Sequence, residues 1–146
     1  MEMVVVMAII GLITAISAPA ITAGMDAIRM ATTSDNIATF LNGAVTHAER
    51  RQQPVAVIIS QKDGKLTAWS NEPGFNKELI LPQGIQIEAI LPQVADDNGA
   101  DRRLILMPGA TVPAIGVQFA NRRGARRIVR LDPMTGFPHV ESVESK

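Results

Sequence analysis

Charged side chains are almost absent from one end of this chain and dense near the other. Glu2 is followed by no charged residue until Asp26. A carboxylate at the mouth of an apolar run is costly unless it meets a cation, so pairing with a positive group is the chemistry open to Glu2. Near the other end Arg122, Arg123, Arg126, Arg127 and Arg130 form a basic stretch. Such a stretch could neutralise several phosphates, in binding that weakens steeply with salt. On an extended strand, however, Arg126 and Arg130 share one face and Arg127 takes the other, which divides the charge. The acidic residues Glu72, Glu78, Glu88, Asp96, Asp97 and Asp101 come earlier. The head is therefore either electrically two-poled, favouring head-to-tail contacts, or an ordinary mixed surface.

Other chemistries find little material. The histidines, His47 and His139, are distant in sequence and neither stands beside a second ligand, so no metal centre is expected. The run Asp96-Asp97-Asn98-Gly99-Ala100-Asp101 has its glycine out of place for an EF-hand and no late glutamate, and reads as an acidic loop. The absence of cysteine removes disulfides, thiolate metal sites and cysteine nucleophiles. With no Gly-rich phosphate loop and no nucleophile elbow, neither an enzyme nor a cofactor is expected.

The elements that must carry these residues follow from patterning. A chain of 146 residues with 47% hydrophobic content suits one ordinary domain, and equal numbers of acidic and basic residues, 14 each, create no global field. The uncharged segment Met3 to Met25, as a helix, would extend roughly 35 Å, enough to cross a bilayer. It reads as a secretory signal, a plain anchor, or a helix that spans lipid and later joins a protein filament. A signal wants a basic start, whereas the first cation here is Arg29. Pro19 lacks a backbone donor and should bend or loosen the helix from Ala15 to Pro19, with Gly11 and Gly24 adding softness.

The helix should continue as an amphipathic element with a stripe of Ala27, Ala31, Ser34, Ala38, Leu41, Val45 and Ala48. Arg29, Thr33, Asn36, His47 and Arg50 fall on the other side, which places His47 at the surface; Phe40 is a locally buried aromatic off the stripe. Pro54 bars continuation beyond Arg51 to Gln53. After it come β-type runs at Val55–Ser60, Leu66–Ser70, Glu78–Leu81, Ile85–Ile90, Leu104–Met107, Ile115–Ala120, Arg126–Leu131 and Pro138–Val143. Asp63-Gly64 marks a hairpin between the first two, and Asp132 to Gly136 another between the last two. The expected fold is α+β: a long N-terminal helix, half transmembrane and half amphipathic, packed on antiparallel β-sheets. Residues 1–24 form the membrane or filament-core helix and 25–146 the soluble head.

The run Glu2-Met3-Val4-Val5-Val6-Met7-Ala8-Ile9-Ile10-Gly11-Leu12-Ile13, with Pro19 beyond it, closely resembles the mature N-terminus of type IV pilins and pseudopilins. A looser likeness in Leu79-Ile80-Leu81-Pro82-Gln83-Gly84-Ile85, Met107-Pro108-Gly109-Ala110 and Thr135-Gly136 is to the H-type minor pseudopilins of type II secretion and FimT-like minor pilins. The resemblance implies a pilin-like fold and a structural subunit of a type II secretion pseudopilus, assembling through its N-terminal helix to aid protein export. It also implies a single-pass protein of the bacterial inner membrane with its head in the periplasm. The implied partners are other pseudopilins or pilins, an assembly platform protein and the prepilin peptidase, and the implied assembly residues are Glu2, Gly11 and Pro19. Only Met1 precedes Glu2, so the basic leader of that family is not in this sequence, and cleavage, N-methylation and pairing of Glu2 with a terminal ammonium are implications of the likeness. The alternative is a FimT-like minor pilin that binds DNA during uptake through the arginine stretch. The C-terminal Gly-Arg-x-Arg motif of those proteins is missing, since the chain reads Gly136-Phe137-Pro138-His139.

Overall fold

The computed structural model describes residues 2–94 and 101–143. One helix, α1 (Glu2–Arg51), is followed by β1 (Val55–Ser60), β2 (Lys65–Ser70), β3 (Asn76–Ile80), β4 (Ile85–Leu91), β5 (Arg102–Leu106), β6 (Gly116–Asn121), β7 (Arg126–Leu131) and β8 (Pro138–Val143). The architecture is the expected α+β layout, a long helix on two antiparallel sheets. One sheet has the order β3-β2-β1-β5 and the other β4-β6-β7-β8. The chain visits the second sheet in β4, returns to the first in β5 and then completes the second, so neither sheet can form from a continuous stretch.

The stops are chemical. Gln52 takes a left-handed φ of 53° just beyond the helix, and Pro54 follows. That is the terminator pattern of a helix whose last carbonyls need other donors; Gln53 N–H supplies one to Ala48 O at 3.3 Å. The β1–β2 hairpin turns at Gly64, φ 58°, and keeps Ile59 opposite Leu66. The β7–β8 hairpin turns at Gly136, φ 72°, and keeps Val129 opposite Val140. A Cβ on Gly136 would make ordinary contacts with Val45 Cγ1 at 3.4 Å and Val112 Cγ2 at 3.5 Å, so the turn packs against α1 and it is the left-handed φ that favours glycine there.

The core lies between the distal part of α1 and both sheets: Ile37, Leu41, Ala44 and Ala48 from the helix meet Val55, Val57, Ile59, Leu66, Val117, Phe119, Val129 and Leu131. Two expectations for the helix, its buried stripe and the place of His47, need correction. Ala27 is exposed and Ala31, Ala38 and Val45 are only half-buried, whereas Met30, Thr33, Ile37 and Ala44 are buried. Phe40 is buried, as expected of it, and joins this core. The helix touches strands of both sheets, so its covered face is broader than a single stripe and is turned toward Ile37. His47, expected at the surface, is half-buried; its ring stacks on Phe75 with centroids 3.6 Å apart. Through Pro19 the helix is not interrupted.

Strand limits differ from expectation mainly at β3 and β5, which begin at Asn76 and Arg102, each two residues early. Both open on polar or charged residues, Asn76 opposite Trp69 and Arg102 opposite Ile59, which the strand pattern of apolar residues does not mark. In β4 a bulge falls between Ile87 and Ala89, so Ile87 faces Phe119, Ala89 faces Gln118 and Glu88 has no opposite residue. The insertion keeps Ile87 and Ile90 inside across an odd spacing and pushes Glu88 outward.

Candidate functional site

Two regions carry the residues that the sequence singled out. The first is the proximal half of α1. Its large apolar side chains, from Met3, Val4 and Val5 through Leu12, Ile13 and Ile16 to Ile21 and Met25, are all exposed. The helix is long and apolar enough to cross a membrane, and its most apolar window is 0% buried by the rest of the chain. Glu2, Gly11 and Pro19 sit on this bare rod. Glu2 is exposed and forms no ion pair among the described residues. A Cβ added at Gly11 would meet nothing within 4 Å. Thr22 returns its hydroxyl to Pro19 O at 3.0 Å, and Thr14 to Ile10 O at 2.8 Å, so both hydroxyls bond within the helix and neither burdens an apolar surround.

The second region is the basic stretch, which the fold divides into three places. Arg122 and Arg123 occupy the β6–β7 turn. Asn121 Oδ1 accepts from Arg123 N–H at 3.0 Å and from Ala125 N–H at 2.9 Å, and Gly124 takes a φ of 83°, which fixes the turn. Arg123 reaches the helix: Nε lies 2.9 Å from Asp26 Oδ2, and Nη2 donates to Thr22 Oγ1 at 2.9 Å. Arg126 Nε lies 2.8 Å from Glu88 Oε2, which also accepts from Gln118 Nε2 at 3.0 Å. The β4 bulge thus delivers the acid that engages this arginine. Arg127 points to the opposite face, toward α1, where Nη1 is 3.5 Å from Ser34 Oγ. Arg130 stays exposed on β7, paired in register with His139. Sequence reasoning correctly separated Arg127 from Arg126 and Arg130. It missed Asp26, Thr22 and Glu88 as partners. Asp26 did carry a signal, being the first charge after the apolar run; Glu88 carried none, because its role depends on a bulge.

The acids are distributed among the cations. Glu72 lies 3.2 Å from His47 Nε2 and 3.6 Å from Arg51 Nη1, Glu78 pairs with Lys65, and Glu88 with Arg126. On the described residues the surface is mixed, and the two-pole expectation does not hold; Asp96 and Asp97, with the rest of 95–100, lie outside the described residues. Among the described residues two groups have displaced proton affinities. The hydrogen bond and charge of Glu78 raise Lys65 above the ordinary lysine value. The Met134 N–H, donating to Asp132 Oδ1 at 2.8 Å, holds that carboxyl below the ordinary value, helped by Thr135 and by the charge of His139. Among the described residues no group of three metal-ligating side chains comes together.

A cleft of about 520 Å³ opens where the β3–β4 and β6–β7 turns approach α1, with Arg29, Arg122, Arg123 and Asp26 in its walls. Gly84 takes a left-handed φ of 92° in the β3–β4 turn, and the Arg122 side chain lies against it. Comparison with known proteins adds no relative: no family model, curated protein or solved structure matches this chain. The fold and the arrangement of its side chains are therefore what a functional reading must rest on.

Proposed function

We propose that this chain is a structural subunit of a pilin-like filament, a minor pseudopilin of a type II secretion machine. The proximal half of α1 stores the protein in the bacterial inner membrane and later exchanges lipid for neighbouring helices in the filament. The head stays outside the bilayer on the periplasmic side. The observation that carries this reading is a helix whose apolar half is bare and whose far half is built into the head, with a carboxylate, Glu2, at the start of the apolar half that has no ion-pair partner among the described residues. Lipid and protein interior are similarly apolar, so transfer between them is feasible when helix contacts and charge pairing offset the lost lipid contacts. In this reading Glu2 meets the terminal ammonium of a processed subunit, and Pro19 and Gly11 let the rod adjust as helices come together. Its partners are other pseudopilins, an assembly platform protein and the prepilin peptidase that trims the precursor.

The DNA-uptake alternative draws less support, because the arginines it needs are spread over three places and Arg123 and Arg126 already hold Asp26 and Glu88. The test uses the precursor expressed in its own host. With no native cysteine, single cysteines introduced at Ile9 and Ile16 report helix neighbours by crosslinking. Glu2→Ala is expected to remain carbonate-resistant in membranes while crosslinks to filament subunits fall at least tenfold. Wild-type crosslinking by Glu2→Ala would end the proposal.

A further inference from the structure

The position of Arg123 fixes the level at which the head meets the rod. Its guanidinium is bonded to Thr22 and Asp26, which bracket the end of the uncharged segment. From Met3, a hydrocarbon layer of about 30 Å is used up after about 20 helical residues. With the layer starting at Met3, Thr22 would stand at its far boundary and the β6–β7 turn would lie among the headgroups. The same turn carries Arg122, and the neighbouring turn of α1 carries Arg29; neither forms an ion pair among the described residues. Asp26 is engaged by Arg123, so it offsets one of the three cations and leaves two with free donors.

We propose that Arg29 and Arg122, held around the Arg123–Asp26 clamp, bind the phosphates of anionic phospholipid headgroups and seat the head on the bilayer. The inference rests on the membrane-anchoring part of the proposed function, and not on filament assembly. Each arginine held near an anionic surface contributes about fivefold to the contact equilibrium, and a bidentate fork suits a phosphodiester. A nucleic acid would have to enter the headgroup layer to reach the same donors, against phosphate repulsion. The rigid turn built by Asn121 and Gly124 keeps Arg122 in place without a cost in loop ordering.

The test uses the full-length chain with Ala125→Cys, an exposed position in the turn, labelled with a fluorophore and inserted in phosphatidylcholine vesicles with or without phosphatidylglycerol. A headgroup-linked nitroxide lipid reads proximity. Quenching should rise several-fold with phosphatidylglycerol and fall with added salt. Arg29→Gln with Arg122→Gln should remove that increment, while Arg130→Gln, on the outer face of β7, should keep it. An unchanged increment in the double variant, or quenching independent of phosphatidylglycerol in the wild type, overturns the proposal. Release of the label from the surface by duplex DNA at low salt overturns it in favour of a nucleic-acid site. Failure of the wild type to resist carbonate extraction removes the anchor on which it rests. Glu2→Ala should leave the quenching unchanged, which separates this result from failure of the assembly reading.

Discussion

The two halves of α1 are one continuous helix with opposite fates. From Glu2 to Arg29 every side chain is exposed except the half-buried Asp26, although this is the more apolar half. From Met30 to Ala48 the helix carries Thr33, Ser34 and several alanines, yet it supplies the head with eight buried residues. Apolarity alone therefore does not decide burial. The distal half is buried because two sheets wrap it; the proximal half projects beyond them, and its apolar side chains are left uncovered by the rest of the described residues.

The largest expected effect breaks the contrast from the buried side. Phe119→Ala, at a fully buried position facing the helix core, should cost about 3–5 kcal/mol in urea unfolding of the detergent-solubilised protein. Leu12→Ala, 64% exposed on the bare half, should stay within about 0.5 kcal/mol in the same measurement. A comparable loss in both variants would mean that the two halves share one cooperative core. Next in size, Pro19→Ala restores a helix donor and relieves ring crowding. Amides in the preceding turn should gain up to about 3 kcal/mol of hydrogen-exchange protection while urea stability of the head is unchanged.

A smaller effect sharpens the boundary between halves. Gly136→Ala places a Cβ on a left-handed backbone, φ 72°, at an expected cost of about 1–2 kcal/mol in urea. The smallest concerns Asp132, whose folded proton affinity is lowered chiefly by the Met134 amide. A depressed carboxyl stabilises the fold at pH above its unfolded value and loses that contribution as pH falls through its folded value. Asp132→Asn should therefore flatten the acid limb of a stability-against-pH curve below about pH 4, with little change at neutral pH. An acid limb identical to the wild type would show that this turn takes no part in acid unfolding.

Local chemistry made much of the head legible. β1, β7 and β8 have the limits their residues suggest, because Pro54, Asp63-Gly64 and Asp132 to Gly136 punctuate them. Arg127 could be assigned the face opposite Arg126 and Arg130, since alternation along a strand is a property of the chain itself. The helix face was misjudged by roughly one position because its burial reflects two sheets at once. His47 could not be placed inside from sequence, because the Phe75 that stacks on it arrives from β2–β3, far along the chain.

By itself the sequence determined that a long apolar helix leads into a β-rich head, since periodicity, Pro and Gly act through neighbours a few residues apart. Only the tertiary structure decided which arginines keep free donors. Arg123 meets Thr22 across 101 residues, and Glu88 meets Arg126 through a bulge, and no local pattern encodes a contact that two sheets and a helix must first bring together. Ion pairs of this kind are consequences of placement, because a charge selects among the partners that hydrophobic burial has already set within its reach.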